Sequence, residues 1–193
     1  MDEKDLRIID LQPDDEDCIN QAASLLFEGF KEHWPRAWAD IESAAAEVQE
    51  SFAADRISRV AVDGNGRVLG WIGGISGYRG NVWDLRPLVV RPEHQRRGIG
   101  RALVADMEEG VGDRGGVTIW IGTDDEDDMV TLSGVELYPD VLGHVGRIRN
   151  LRGHPYGFYE KVGFVLVGAM PDANGPGKPD IYLAKSLLER SEG

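Results

Sequence analysis

The run Asp84-Leu-Arg-Pro-Leu-Val-Val-Arg-Pro-Glu-His-Gln-Arg-Arg-Gly-Ile-Gly-Arg-Ala-Leu103 decides how this chain is read. Its first part, with Trp83 ahead of it and Val90 at its end, is rich in large and β-branched apolar residues, as a buried strand requires. Pro87 lies inside that strand and has no N–H to give to a ladder, so the strand is expected to bulge or split there. A bulge would leave a neighbouring amide, such as that of Leu88, free to face a ligand. Arg91-Pro92 then breaks the strand, and Gln95 to Gly100 leads into a helix starting near Gly98. Successive N–H groups in such a turn, together with the helix dipole, favour a phosphate. Gly98 and Gly100 allow close backbone approach.

Two other phosphate loops do not fit. A dinucleotide fingerprint needs a third glycine where Leu103 stands, and a P-loop needs Gly-Lys-Ser/Thr. The string Val-x-Pro-x-x-Gln-Arg-Arg-Gly-Ile-Gly-x-x-Leu at 90–103 instead resembles the diphosphate signature of the GCN5-related N-acetyltransferases. The resemblance implies that backbone and side chains of Leu88, Val89, Val90, Gln95, Arg96, Arg97, Gly98, Ile99, Gly100 and Arg101 hold acetyl-coenzyme A.

Working outward, 193 residues suit one domain over 1–193. No run of about 18 apolar residues exists, so no membrane span is expected. The start, Met1-Asp-Glu-Lys-Asp, lacks an apolar signal core. The single cysteine, Cys18, rules out an internal disulfide framework and suits a reducing compartment, and the cytoplasm is the expected location. His33, His94, His144 and His154 show no metal-ligand spacing, and no metal is expected. The net charge of -13 argues against a nucleic-acid partner and suits a cationic substrate, although solubility alone also accounts for it.

Ahead of the central run, residues 6–11 read as a strand. Ile19, Ala22, Ala23, Leu26, Phe27 and Phe30 recur at helical spacing after an N-cap region at 14–16. Trp34, at the helix boundary beside Pro35, is either a cover over the core or a wall of a substrate cleft. Residues 41–52 form a second helix. Residues 59–63 and 68–75, joined by Asn65-Gly66, form a hairpin. Tyr78 follows in a glycine-rich turn, where it packs or faces a ligand.

Beyond the central helix, which runs from 98 to about 109, a strand over 117–122 leads into Thr123-Asp-Asp-Glu-Asp-Asp128. An EF-hand fails there, because Met129 and Val135 stand where Gly and Glu are needed. A solvated loop is the plain alternative. Directly after a strand, at the edge where open α/β sheets bind ligands, these carboxylates are also a candidate rim for ammonium groups. A helix is expected over 141–151 and a short one after Pro155, ending at Gly163 with Tyr159 late in it. Strands at 164–170 and 180–184 close the chain. The architecture implied by the resemblance is α/β: a mixed sheet of six to seven strands with a split fourth strand, flanked by helices.

The segment Phe158-Tyr-Glu-Lys-Val-Gly-Phe164 resembles the second signature of these acetyltransferases, which supplies a tyrosine near the coenzyme sulfur. Asp-Leu-Arg-Pro-Leu-Val-Val, Gly-Thr-Asp-Asp at 122–125, Leu-Tyr at 137–138, His-Pro-Tyr-x-Phe-Tyr at 154–159, and Pro-x-Ala-Asn-Gly with Lys-Pro-Asp-Ile at 171–181 are similar to the aminoglycoside 6′-N-acetyltransferases, in particular their broad-specificity homodimeric subgroup. That likeness implies direct acetyl transfer to an aminoglycoside amine, and a homodimer. Asp84, at the start of the split strand, is the candidate base, or else only holds the substrate cation; the Leu88 amide freed by the bulge is the candidate oxyanion donor; and Tyr159, on residue type alone a core tyrosine, is by this likeness the acid to the leaving thiolate. His154 would help hold the coenzyme. Trp34, Tyr78, Asp84, Asp124, Asp125 and Glu136 would contact the substrate. The chain departs from the subgroup in having Asp84-Leu85-Arg86 where Glu-Leu-His is usual, and Arg152 where the superfamily expects Asn. Two rival readings are an acetyltransferase for polyamines or protein amines, and a coenzyme A-binding sensor without turnover.

Overall fold

The structure, a computed structural model, describes residues 6–188. The acidic start at 1–5 lies outside the described residues. The chain divides into two compact units that part after Val117. Seven strands run through the described residues, four in the first unit and three in the second, with helices beside them. The expected α/β class is therefore found.

The first unit builds an antiparallel sheet in the order β1 (Arg7–Asp10), β2 (Arg56–Val62), β3 (Val68–Gly77), β4 (Val82–Val90). Helices α1 (Glu16–Phe30), α2 (Ile41–Glu50) and α3 (Ile99–Gly112) pack against it or each other. Asp15 caps α1 by accepting the Cys18 N–H at 3.0 Å, and a reciprocal Asp40/Ser43 capping box starts α2. The buried face of α1 (Cys18, Ile19, Ala22, Ala23, Leu25, Leu26) joins Val48, Val60, Trp71 and Val89 in one apolar core. Gly29, which the sequence marks only as a weak point of α1, has a packing reason. A Cβ there would lie 2.5 Å from Val89 Cγ2.

The kink in β4 is the feature that shapes this unit. Ile72 pairs with Leu88, and Gly74 with Leu85, so Arg86 and Pro87 together oppose the single residue Gly73. That two-against-one count is a β-bulge. The Arg86–Pro87 peptide is cis. At Gly73 a Cβ would meet the Arg86 carbonyl oxygen at 2.5 Å, and backbone cannot swing aside as a side chain can. We expect Gly73→Ala to cost about 1–3 kcal/mol, the usual range for overpacking, measured by urea unfolding.

The second unit pairs β5 (Thr118–Asp124) with β7 (Asp180–Ser186), and β7 with β6 (Val165–Met170), all antiparallel. Two expectations are corrected here. The strand expected over 117–122 runs on to Asp124, because Thr123 and Asp124 pair with Ile181 and Asp180. The helix expected over 141–151 is only α4 (Val141–Val145). After Gly146 the chain turns back to bridge Val130 with Asn150, and Arg149 and Leu151 take part in backbone bonds to 129–131. Helix α5 (Tyr156–Lys161) follows Pro155, and Gly163, at φ 96°, ends its turn.

Candidate active site

In the first unit, the turn between β4 and α3 is built to receive an anion. Arg96 has φ 59° and Gly98 has φ 87°, and Gly98 is the N-cap of α3 with no side chain bonded to the free amides. Left-handed and right-handed residues in alternation turn successive N–H groups inward, and the 14-residue helix adds its dipole. Arg96, Arg97 and Arg101 are exposed around it. The residues present therefore fit a diphosphate. Gln95 points elsewhere. Its Nε2 donates to the Val90 carbonyl at 3.2 Å and ties the turn to the strand.

The ladder decides which groups of β4 are free. Arg91 donates its N–H to the Leu69 carbonyl at 2.8 Å, so that pair is a hydrogen-bonded one. Such pairs alternate in an antiparallel ladder. Trp71/Val89 is thus bonded, whereas Gly70/Val90 and Ile72/Leu88 are not. Leu88 and Val90 aim their N–H and C=O groups away from β3. Val89 does not: its backbone is spent on Trp71 and its side chain is buried against Gly29. Of the three β4 residues expected at the coenzyme, Val89 is the one whose backbone is committed to β3.

Asp84 sits at the near side of the bulge with its side chain 21% exposed, and Arg86 Nε lies 3.4 Å from its Oδ2. Burial pushes its carboxyl up from the usual range, and the Arg86 guanidinium pulls it back. Tyr78, 79% exposed, has φ 48°, and Arg79 and Gly80 follow with positive φ. A left-handed tyrosine costs roughly 1–2 kcal/mol, so the turn holds this ring in solvent at some expense. Trp34 is half-buried and contacts Phe30, with ring centres 5.7 Å apart.

In the second unit, the acidic loop separates into parts with different work. Asp125 is 1% exposed and its two oxygens accept from Met129 N–H, Val130 N–H and the Ser133 hydroxyl. With three accepted bonds, Asp125 shapes the loop. Arg152 donates to the Asp127 and Asp128 carbonyls, and Lys178 bonds the Glu126 carbonyl and Asp128. So Arg152, where an asparagine was expected, pins the loop from below.

His154 is bonded inward as well. It is 2% exposed, its Nε2 bonds the Asp124 carbonyl at 3.0 Å, and its Nδ1 accepts the Tyr156 N–H at 3.2 Å. That fixes the Nε2–H tautomer, and burial lowers its pKa. Both nitrogens are used within the protein, so His154 locks α5 to the end of β5. Tyr159 on α5 is buried between Phe158 and Phe164. Its hydroxyl has no hydrogen-bond partner among the described residues, and burial raises its pKa.

The group that sequence reading missed is Asp180. It pairs across the ladder with Asp124, 56 positions away in the chain by subtraction of their numbers. Asn174 Nδ2 donates to Asp124 Oδ1 at 2.7 Å, while Asp180 Oδ1 is buried with no partner. Gly122 makes room for it, since a Cβ there would lie 2.7 Å from Asp180 Oδ2. Burial, then the Asp124 charge, push the Asp180 carboxyl up to about 7. The only signal in the sequence was the Lys-Pro-Asp-Ile motif, which carries no hint of this partner. Glu136 is exposed and accepts the Tyr138 N–H at 3.1 Å.

The raised carboxyl has a measurable consequence. The folded state holds the Asp180 proton up to about 7, while the unfolded chain releases it near 3.8. Stability contributed here is present below the lower value and is lost as pH rises through that window. Asp180→Asn is expected to raise the melting temperature at pH 8 relative to wild type and to flatten the pH dependence between about 4 and 7, followed by thermal melts.

Comparison with known proteins supplies the wider frame. The family model described as Acetyltransferase (GNAT) family matches residues 19–132. No match was found among curated proteins. A solved aminoglycoside 6′-N-acetyltransferase complexed with coenzyme A is 40% identical, with a TM-score of 0.88, over 96% of this chain and 99% of that one. The aminoglycoside 6′-N-acetyltransferase from Enterococcus faecium is 39% identical at a TM-score of 0.85, and an aminoglycoside 6′-acetyltransferase type Ii is 34% identical at 0.72, with the same two coverages. A bulged fourth strand feeding a left-handed arginine-rich turn at a helix N-terminus agrees with all of this, and the chain belongs to the GNAT acetyltransferase family.

Proposed function

We propose that this protein is an aminoglycoside 6′-N-acetyltransferase, working as a single domain, that moves acetyl from acetyl-coenzyme A directly to the 6′-amino group. The reading rests above all on likeness along 96% of the chain to three such enzymes. When bound, acetyl-coenzyme A supplies an activated thioester. The amides and arginines of 95–101 hold its diphosphate, and the outward backbone groups of Leu88 and Val90 align its arm. The Leu88 N–H donates to the oxygen where negative charge develops. Asp84 takes the proton that a substrate ammonium must lose before its nitrogen can attack. Tyr159, held protonated by burial, keeps a proton at its hydroxyl for the departing sulfur.

By their chemistry, the carboxylates Asp124, Glu136 and Asp180 suit the ammonium groups of a polycation, and the aromatic faces of Trp34 and Tyr78 suit its rings. The net charge of -13 works in the same direction. Among the described residues no helix is long and apolar enough to cross a membrane. We place the enzyme in the cytoplasm as a homodimer. Val165 and Val167 of β6, 61% and 53% exposed, support a partner surface there, and sedimentation velocity tests it.

A thiol-release assay with a panel of amines tests the main reading. Kanamycin-type compounds should give a kcat/KM far above that for spermidine or a lysine peptide. The reverse order would favour a polyamine or protein acetyltransferase, and binding without release would favour a sensor.

A further inference from the structure

We infer that Arg86 is a built-in competitor for the substrate ammonium: it rests on Asp84 while no amine is present and is displaced when one arrives. This rests on the reading of Asp84 as the group that meets the amine.

The two side chains are unequal partners. They stand two apart on β4, hence on one face of the strand, just where the bulge interrupts it. The carboxylate is largely enclosed, while the Arg86 side chain is 66% exposed. At 3.4 Å through Nε alone, the contact is long for an ion pair and leaves the two terminal nitrogens of the guanidinium without a partner among the described residues. Asp84 accepts no hydrogen bond from any described residue, unlike Asp125, which accepts three.

The surroundings leave Arg86 alone in this role. Ile75, opposite Asp84 across β3, is apolar. Of the charged groups on the packed elements, Arg59 of β2 is spent on Asp106 of α3 and Asp10 of β1. Arg86 is the cation paired with Asp84, and its charge pulls that carboxyl down. A largely enclosed, otherwise unbonded carboxylate thus carries one exposed cation at its mouth. An incoming ammonium needs the same position and the same charge. Arg86 acts on substrate through Asp84, so it is a positioning residue, not a catalytic one. It holds the carboxylate in its ionised form between turnovers and weakens amine binding in return.

The test uses the full chain with Arg86→Gln, Arg86→Ala and Arg86→Lys, acetyl-coenzyme A and a kanamycin-type amine, across pH at low salt. Removing the charge should lower KM for the amine by about two- to fivefold, the range of a mostly exposed ion pair, with less change in kcat. The acidic limb of kcat/KM should move to higher pH, because Asp84 has lost the cation that favours its charged form. Arg86→Lys should stay near wild type in both. Melting curves should be unchanged, since the side chain is exposed. If Gln and Ala leave KM and the limb where they were, or raise KM, the inference is overturned. It is also overturned if Lys behaves like Gln, which would mean that shape and not charge matters. If wild type transfers no acetyl to the aminoglycoside, the underlying reading fails first; an active wild type with silent Arg86 variants sinks only the inference.

Discussion

Asp84→Asn is expected to lower kcat/KM for a kanamycin-type amine at neutral pH by about 10²- to 10⁴-fold, the usual range for losing a positioned base. Asparagine keeps the shape but cannot take a proton. The fold should not suffer, because Asp84 receives no hydrogen bond and lies against the exposed, loosely held Arg86. The defect should also shrink as pH rises, since more of the amine then arrives already neutral. A pH series of thiol-release rates checks both points. A variant at wild-type level at every pH would leave the carboxylate as a substrate anchor only.

Tyr159→Phe should lower kcat by about 10²-fold or more, again on the scale of general acid catalysis. Here stability separates function from packing. The Tyr159 hydroxyl makes no hydrogen bond to a described residue, so its removal should leave the melting temperature little changed. If Tyr159 were only a core residue, the variant would turn over normally. A falling rate with an undiminished melting temperature therefore assigns the hydroxyl to chemistry. Affinity for acetyl-coenzyme A, followed by isothermal titration, should change little, because the proposed coenzyme grip at 95–101 and along β4 does not use the Tyr159 hydroxyl.

The parts of this molecule that could be read from the chain are those governed by neighbours in sequence. Pro87 inside an apolar strand announced the bulge, Asn65-Gly66 the hairpin and Gly98 the start of α3, because each acts through its own φ or its own missing N–H. The parts that could not be read depend on who stands opposite. Nothing local tells that Val89 faces a bonded position while Leu88 and Val90 do not; ladder parity decides it. Asp124 and Asp125 look alike in sequence. One ends β5 opposite Asp180, whereas the other turns inward and accepts three bonds. His154 read as a ligand-facing histidine, and only its two internal bonds reveal a fastener. The expected helix over 141–151 failed for a similar reason. Its later residues are drawn into pairing with 129–131, a choice made by distant backbone against local helical propensity.

The most direct measurement incubates the protein with acetyl-coenzyme A and a kanamycin-type compound, and locates the acetyl group on the product by NMR. The account predicts thiol release matched by a single new amide at the 6′ position, with no release when that amine is replaced by a hydroxyl. Acetylation elsewhere on the sugar, or equal release from the 6′-hydroxyl analogue, would contradict it.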